Sequence, residues 1–385
     1  MEMPPRSRAI ATQGASMKIA FYAPMKPPTA VSPSGDRTIG RLLIEALETA
    51  RFDVEVASSL RTWSGTPDPA RLAAFRNAAA TEQERLLAAW RGLSADRQPD
   101  LWFTYHNYYK APDFLGPAVA DALGIPYVVV EASYAAHRAK GPWADWLEEA
   151  RRGIAAADLI FSFTQRDEIG LKPISRAERR RRLAPFLGEL PPARPSGSSE
   201  RSGAVRLICV AMMREGAKAE SYRLLAAALG NLMHQDWTLD VVGDGVMRSE
   251  LQELFSAAGG ERVRFRGRLE GAALTEALND ADIFVWPGID ETFGMAFLEA
   301  QAFGLPVAAC DTAGVDEVVR HGQTGLLARE TTPDALAATI AILIRSPDLR
   351  WKLGNQARDH IAAHHSIGSA AAMLGRELTA LTARR

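Results

Sequence analysis

The stretch that most constrains the fold of this chain is residues 281–309, ADIFVWPGIDETFGMAFLEAQAFGLPVAA. The apolar run 282–286 is rich in strand formers and ends at a Pro-Gly pair, so it predicts a short buried strand. A helix is predicted from about Phe293 to Gly304. Its end is placed at the glycine because a proline follows two residues later. Residues 307–310 form a second apolar run. The stretch therefore predicts a strand, a loop, a helix and a strand, the repeating unit of a parallel α/β sheet.

Two carboxylates lie on either side of the predicted start of this helix. Glu291 precedes the helix and Glu299 is expected about two turns inside it. The first amides of a helix have no partner inside the helix, so they attract phosphate groups, and Gly294 would let a ligand approach the backbone. Carboxylates on both sides of a diphosphate could accept hydrogen bonds from hydroxyl groups. The layout would suit a nucleotide-sugar, but on spacing alone we favour the alternative, a plain strand-helix-strand unit with two solvated acids.

The same segment resembles the signature of the family 4 retaining glycosyltransferases, which have the GT-B fold. The Glu-x7-Glu motif of that family matches ETFGMAFLE, from Glu291 to Glu299, and the run GVDEVVRHGQTGLL at 314–327 fits as well. The resemblance covers nearly all of residues 203–345 and is looser over 17–190. It implies that Glu291 contacts the donor sugar and that Glu299 binds the ribose. The amides that would face the sugar and phosphate belong to Thr292, Phe293, Gly294 and Met295.

Alternating strands and helices recur along the whole chain, which predicts α/β architecture with parallel sheets. The resemblance implies a GT-B fold with two doubly wound Rossmann-like domains facing an interdomain cleft, and ligands bind at the carboxyl ends of such strands. We expect a disordered extension over 1–16, an acceptor-side domain over 17–190, a linker over 191–203, a donor domain over 204–365, and a helix over 366–385 that packs back on the first domain. The strands are predicted at 18–22, 52–57, 101–105, 127–130, 159–163, 205–211, 238–242, 263–265, 282–286 and 307–310.

The composition excludes several classes of protein. A net charge of -1 over 385 residues argues against a general nucleic-acid binder. The two cysteines, Cys209 and Cys310, lie in predicted buried strands, which is typical of core thiols in a reducing compartment. No apolar run reaches transmembrane length, and residues 1–16 lack the apolar core of a secretory signal. We expect a cytoplasmic protein that binds no nucleic acid.

Two cations follow the apolar strand RLICVAMM, at Arg214 and Lys218. Cations at the carboxyl end of a strand could neutralise a diphosphate leaving group. The resemblance implies a basic residue at this position, although the loop here is one residue off the commonest spacing. An ordinary solvated loop is the alternative.

Glycines follow two further strands, in VVGDG at 241–245 and in FRGRL at 265–269. The third glycine of a dinucleotide fingerprint is missing, which disfavours a dehydrogenase. The resemblance implies that these turns lie near the donor nucleotide and its base, and a purely structural turn is the alternative. The residues concerned are Gly243, Gly245, Gly267 and Arg268.

In the first domain, the loop SGDR precedes a helix. The resemblance implies that Gly35 lies close to the donor phosphates. Members of the family often carry a second glycine at the preceding position, so Ser34 is a departure. Asp36 or Thr38 is expected to cap the helix.

His106 closes the strand DLWFTYH, and Glu131 follows the strand YVVV. Many members of the resembling family place a histidine at a nearby strand end, where it contacts the sugar or the reaction centre. The pattern here is shifted or substituted, so we take His106 and Glu131 as candidate catalytic residues. Ordinary surface or core positions are the alternative.

A basic run, RAERRRR, extends from Arg176 to Arg182. It could contact anionic lipid headgroups on the inner face of a membrane, which would suit a lipid-linked acceptor, but we favour a solvated helix face. The pair Asp280 and Asp282 precedes a strand, where ligands rarely bind, and we interpret it as structural. No metal-binding motif is visible, so we expect no cofactor and no metal.

These observations predict a retaining glycosyltransferase that moves a sugar from a nucleotide-diphosphate sugar to an unidentified acceptor. The acceptor could be a glycan, a lipid-linked sugar or a small molecule. Two alternatives stay open. One is a nucleotide-sugar epimerase or hydrolase of the same fold, and the other is a non-catalytic protein that binds nucleotide-sugars.

Overall fold

The computed structural model describes residues 16–32, 34–192 and 203–384. The predicted extension over 1–16 and the predicted linker over 191–203 therefore lie almost entirely outside the described residues. The chain divides into two compact units. The first contains the described residues up to Leu183 together with those from Ile367 onward, and the second runs from Ala184 to Ser366.

The first unit contains a six-stranded parallel sheet with the strand order β2-β1-β3-β4-β5-β6. Its three central strands are buried along their whole length, because each is a continuous apolar run covered on both faces. The strand order changes direction between β1 and β3. The strands are β1 Lys18–Tyr22, β2 Asp53–Ser58, β3 Leu101–Tyr105, β4 Tyr127–Val130, β5 Leu159–Ser162 and β6 Arg180–Arg182. The helices are α1 Gly35–Thr49, α2 Pro69–Arg91, α3 Gly116–Leu123, α4 Ala144–Ala156, α5 Gln165–Leu171 and α12 Ile367–Thr382.

The second unit contains another six-stranded parallel sheet, with the order β12-β11-β10-β7-β8-β9. Here the order changes direction between β7 and β10. Cys209 in β7 and Cys310 in β11 are buried free thiols, as the apolar strand patterns predict. The strands are β7 Val205–Val210, β8 Trp237–Val242, β9 Val263–Gly267, β10 Ile283–Val285, β11 Val307–Cys310 and β12 Gly325–Ala328. The helices are α6 Ala217–Gly230, α7 Arg248–Gly259, α8 Gly271–Asp280, α9 Met295–Ala302, α10 Pro333–Arg345 and α11 Pro347–His364.

The α/β prediction with two doubly wound units is confirmed, and the exceptions are local. Helix α9 begins at Met295, two residues later than predicted, because Gly294 has a φ of 70° and cannot be helical. Glu299 consequently lies about one turn inside the helix rather than two. Strand β12 was not predicted, since its sequence GLLA is short and starts with glycine.

The predicted helix face of the basic run is wrong for most of its length, because only Ala177–Arg179 form a single helical turn. Its last three residues form β6, which pairs in parallel with β5. Arg181 forms an ion pair with Glu377 at 2.7 Å, and Arg179 and Arg180 donate to backbone carbonyls. These contacts hold charged side chains along an edge strand, a common way to block pairing with another chain.

Residues 184–190 belong to the second unit, whereas the sequence placed them in the first domain. The reason is a set of contacts with the end of α11. The amide of Leu187 donates to the carbonyl of His365 at 2.8 Å, and Nδ1 of His365 lies 2.6 Å from the carbonyl oxygen of Pro185. Within the described residues, no helix is both long enough and apolar enough to cross a membrane.

Candidate functional site

The candidate site of the second unit forms where its strand order changes direction. The loop after β7 leads into α6, which carries Lys218 as its second residue, and the loop after β10 carries Glu291. The two strands are hydrogen-bonded neighbours, so their carboxyl ends bring these two loops together. Nζ of Lys218 donates to Oε1 of Glu291. The two side chains are 20% and 15% exposed, so solvent screens their charges only in part.

Trp286 completes this pair. Its Nε1–H donates to Oε1 of Glu291 at 3.1 Å, and Nζ of Lys218 lies 5.3 Å from the centre of its ring. The ring is held in turn by Tyr222, at 4.8 Å between ring centroids. The loop itself is fixed by Ser221, whose hydroxyl oxygen accepts from the amide of Ile289 at 3.1 Å. Glu291 is therefore held in place by groups from two elements.

The glycine turns after β8 lie directly against the loop after β7. A Cβ on Gly243 would stand 1.9 Å from the carbonyl oxygen of Ala211, and one on Gly245 would stand 2.1 Å from that of Met213. Only glycine allows this approach. The amide of Gly243 also donates to the carbonyl of Gly267 at 2.8 Å, so the three predicted glycines belong to one edge of the sheet.

Two predicted basic residues stand apart from the Lys218–Glu291 pair. Arg214 is exposed and has no ion pair among the described residues. Arg268 pairs with Glu270 on the surface, where the two side chains are 61% and 70% exposed. Arg214 is thus a free cation on the same loop as the site.

The start of α9 has the backbone geometry of an anion site. Gly294 stands at the helix N-terminus with no side-chain cap, so the first amides of the helix are not capped by a side chain. Thr292 is exposed at this turn and Met295 is partly buried, while Phe293 is buried and packs into the unit. Glu299 follows inside the helix, where burial raises the pKa of its carboxyl to about 6. That shift marks a carboxylate that no cation of the protein compensates.

The first unit has its own charged cluster at the point where its strand order changes direction. Nδ1 of His106, just after β3, lies 3.1 Å from Oδ1 of Asp36, in the first turn of α1. Burial alone would lower the pKa of His106, but the Glu131 charge and the Asp36 hydrogen bond outweigh it and raise the pKa. The pKa of Asp36 is lowered, because its contacts with His106 outweigh the effect of burial. The pair therefore favours an imidazolium facing a carboxylate.

Glu131 directly follows β4 and interacts with this pair. Burial raises the pKa of its carboxyl, against the opposing charge of His106. Its Oε2 and the hydroxyl of Tyr105 are both buried without a hydrogen-bond partner among the described residues. His106 and Glu131 have φ values of 67° and 58°, a left-handed conformation that is rare for such residues and that concentrates at functional sites.

The expected cap role of Asp36 was wrong. The side chain of Ser34 caps α1, accepting from the amide of Arg37 at 3.2 Å, which leaves the Asp36 carboxylate free to bind His106. Gly35 is the exposed first residue of α1, and a Cβ there would meet nothing within 4 Å. Space for a ligand is therefore present, although no contact in the protein requires glycine.

Sequence reasoning missed the supporting roles of three residues: Trp286, Ser221 and Asp36. Trp286 directly follows β10 inside the most informative stretch, and Ser221 lies one helical turn after Lys218, so both had a local signal. Asp36 had none, because its partner is 70 residues away in sequence. Asp282 binds Arg206 at 2.9 Å, in keeping with a structural role, and no group of three or more possible metal ligands occurs in the described part of the chain.

Solved structures share this architecture. Sucrose-phosphate synthase from Thermosynechococcus elongatus superposes with a TM-score of 0.71 at 19% identity, covering 96% of this chain and 100% of that chain. The Anabaena protein HepE, solved in complex with UDP, gives a TM-score of 0.68 at 18% identity, covering 94% and 100%. Likeness at these identities shows the fold alone, which is the α/β GT-B fold with two doubly wound units.

Residues 207–360, which make up most of the second unit, match the family model described as glycosyl transferases group 1. The alpha-D-kanosaminyltransferase of Streptomyces kanamyceticus is 29% identical over 241 residues, 60% of this chain and 62% of the relative. The GDP-mannose-dependent alpha-mannosyltransferase of Mycolicibacterium smegmatis is 38% identical over 149 residues, 37% of this chain and 38% of the relative. The chain therefore spans less than two thirds of the length of these curated relatives.

Proposed function

We propose that this protein is a retaining glycosyltransferase of family 4, which transfers a sugar from a nucleotide-diphosphate sugar to an acceptor. One observation carries the proposal: Lys218, Glu291 and Trp286 meet where the strand order changes direction, in the unit that matches the group 1 model. Such a set suits a ligand with hydroxyls beside phosphates, because a carboxylate accepts from hydroxyls while an ammonium group binds phosphate. The relatives named above are transferases of sugars, and HepE has also been solved with UDP-glucose.

In this proposal the second unit binds the donor. Glu291 accepts hydrogen bonds from the sugar, and Glu299 does so from the ribose. Lys218 and Arg214 stabilise the negative charge that grows on the diphosphate as the anomeric carbon–oxygen bond breaks, and the amides of 292–295 add to this effect. The acceptor hydroxyl attacks from the face that the diphosphate leaves, so the configuration at the anomeric carbon is retained without a nucleophile from the protein.

The first unit contributes His106 in this proposal. Its imidazolium is a hydrogen-bond donor for substrate, and Asp36 is a positioning residue that orients the ring and favours its protonated form. Glu131 adds a second nearby carboxyl group, which makes the charge state of the cluster depend on pH.

A thermal-shift screen against UDP-, GDP- and ADP-sugars tests donor binding directly. We expect one nucleotide series to raise the Tm, because a ligand that binds only the native state stabilises it by about 2.7 kcal/mol at 100 times its Kd. The Lys218→Met variant should lose this shift, and Lys352→Met, which removes an exposed lysine of the same unit, should keep it. If no nucleotide-sugar raises the Tm, the proposal fails.

Retention is tested on the product. With the donor from that screen, the anomeric proton coupling of the product in NMR should show the configuration of the donor. Inversion would contradict the assignment to family 4. Release of nucleoside diphosphate without an acceptor, at the full rate, would indicate a hydrolase instead.

A further inference from the structure

A row of aromatic rings leads away from His106 along the first unit. The rings of His106 and Tyr108 stack at 4.6 Å between centroids, Tyr108 meets Tyr109 at 5.5 Å, and Tyr109 meets Trp143 edge-on at 5.0 Å. The two tyrosines and Trp143 are only partly buried. They come from the segments that follow β3 and β4, so they share a sheet edge with His106 and Glu131. Partly exposed aromatic surface beside charged groups is typical of a small-molecule pocket.

Two cations lie against these rings. Nζ of Lys110 stands 5.8 Å from the centre of the Tyr109 ring and 5.9 Å from that of Trp143. The guanidinium carbon of Arg138 stands 5.1 Å from the centre of the same Tyr109 ring. Both side chains are partly buried, and both lie within the range of a cation–π contact. The ring of Tyr109 therefore makes cation–π contacts with two positively charged side chains.

Neither cation has an acidic partner. Within residues 16–32, 34–192 and 203–384, Lys110 and Arg138 form no ion pair, and Nε of Arg138 is buried without an acceptor. Three other arginines of this unit, Arg76, Arg85 and Arg151, each bind a glutamate within 2.7 Å. The aromatic row, by contrast, supplies no carboxylate to Lys110 or Arg138 within the described residues.

A bound anion would offset two unfavourable contributions to the free energy of this region. Two like charges around one ring repel each other, and a buried N–H group without an acceptor loses the hydrogen bond that it makes in water. A phosphate or a carboxylate that accepts from these cations would offset both costs through charge-assisted hydrogen bonds.

The loop that carries Lys110 is already rigid. Tyr108 and Ala111 form a backbone bridge, and the carbonyl of Lys110 accepts from the amide of Ser64 at 2.8 Å. The side-chain oxygen of Asn107 accepts from the amide of Asp113 at 3.1 Å. A ligand would therefore meet a preformed site, which reduces the entropy lost on binding.

We infer that Tyr108, Tyr109, Lys110, Arg138 and Trp143 form a binding site for a sugar or polyol that carries a phosphate or carboxylate group. The aromatic row takes the ring of the ligand, and Lys110 and Arg138 take its anionic group. That this ligand is the acceptor of sugar transfer rests on the proposed function. The site itself rests on the contacts of the first unit alone.

Calorimetry without any donor tests the site. The probes are matched pairs: glucose and glucose 6-phosphate, myo-inositol and myo-inositol 1-phosphate, and galactose and galacturonate. We expect at least one anionic member to bind about 10-fold more tightly than its neutral partner, and this preference should shrink as salt is added. The inference is overturned if no anionic member is preferred.

Substitutions then assign the preference to these residues. Lys110→Met combined with Arg138→Met should bring the ratio of the two affinities close to one, while Lys140→Met, which removes an exposed lysine of a neighbouring loop, should leave it unchanged. A preference that survives the double substitution contradicts the inference. Lys110→Arg combined with Arg138→Lys keeps both charges, and it should retain most of the preference even if the methionine variant folds poorly.

A donor control separates this site from the proposed function. The affinity for the nucleotide-sugar that the screen identifies should stay within about 2-fold in the double methionine variant. An equal loss of donor affinity would reassign the two cations to the donor and overturn the inference. Binding of an anionic sugar without any transfer would leave this site standing and count against the transferase assignment instead.

Discussion

In the second unit the charged groups of the candidate site form one ion pair, Lys218 with Glu291, on loops that follow two neighbouring strands. In the first unit they form a half-buried cluster of His106, Asp36 and Glu131, in which the pKa values move in different directions. Both sets lie where the strand order of their sheet changes direction. Similar topology thus positions a compensated pair in one unit and a pH-sensitive group in the other.

Of the substitutions that test this contrast between the two units, the one at Glu291 should cause the largest loss of activity. The Glu291→Gln variant keeps a side-chain oxygen for Lys218 and Trp286, so we expect the fold to survive and transfer to fall by about 100-fold or more. The initial rate of nucleoside diphosphate release with acceptor present measures the loss. Glu270→Gln, which changes an exposed surface carboxylate of the same unit, should be normal. A Glu291→Gln enzyme with ordinary rates would remove the basis for treating the second unit as the donor site.

The half-buried cluster of the first unit predicts a smaller loss of activity, with a distinctive pH dependence. We expect His106→Asn to lower kcat about 100-fold at most. If the imidazolium is the active form, kcat falls as pH rises through its raised pKa. Asp36→Asn removes a group that raises this pKa, so the fall should move to lower pH by about one unit.

A kcat–pH profile from pH 5 to 9 measures this shift. Asp121→Asn is the matched control, because it neutralises an exposed carboxylate of the same unit. Superimposable profiles for the protein and for Asp36→Asn would mean that the contact seen between Asp36 and His106 does not govern the reaction.

Substitution of Glu299 should have the smallest effect on activity. It should weaken donor binding but raise the stability of the protein without ligand. Glu299→Gln should weaken donor binding about 10-fold, because a neutral acceptor replaces a charged one. Its carboxyl has a folded pKa of about 6, above the unfolded value of about 4.3, so folding opposes its ionisation. The resulting loss of folding stability is absent below pH 4.3, grows between these two pKa values and is complete above pH 6.

The free energy of unfolding without ligand should therefore rise by about 2 kcal/mol at pH 8 in the Glu299→Gln variant, relative to its change at pH 4.5. Urea denaturation at the two pH values measures this difference. Glu253→Gln, in helix α7 of the same unit, serves as the control. If the free energy of unfolding of the variant does not rise at pH 8, Glu299 is solvated in the folded protein. It would then not be a buried carboxylate available to bind a ribose.

The sequence allowed much more of the second site to be predicted than of the first. Glu291, Gly294 and Glu299 lie within nine residues of one another, so a local pattern carried them, and Lys218 follows an apolar strand that is easy to recognise. The first cluster joins residues 36, 106 and 131, which only the order of the strands brings together. Nothing in the local sequence around Asp36 distinguishes a partner for a histidine from a helix cap.

Two errors in the fold have similar causes. Strand β6 consists of three arginines, and its conformation comes from pairing with β5 rather than from any apolar pattern. Helix α9 begins later than its composition predicts, because the left-handed backbone of Gly294 sets its start. In both places a tertiary or conformational constraint overrides the local propensity of the chain.

The ion pair between Lys218 and Glu291 also has a consequence for selectivity. Each of the two charges already has the other as its partner. Inorganic phosphate that bound Lys218 would break this ion pair and leave the Glu291 carboxylate with Trp286 as its remaining hydrogen-bond donor. A simple polyol would face the converse problem. A molecule that brings acidic oxygens and hydroxyls together can replace both halves of the bond in one event, so the ion pair favours such a ligand over inorganic phosphate or a free sugar.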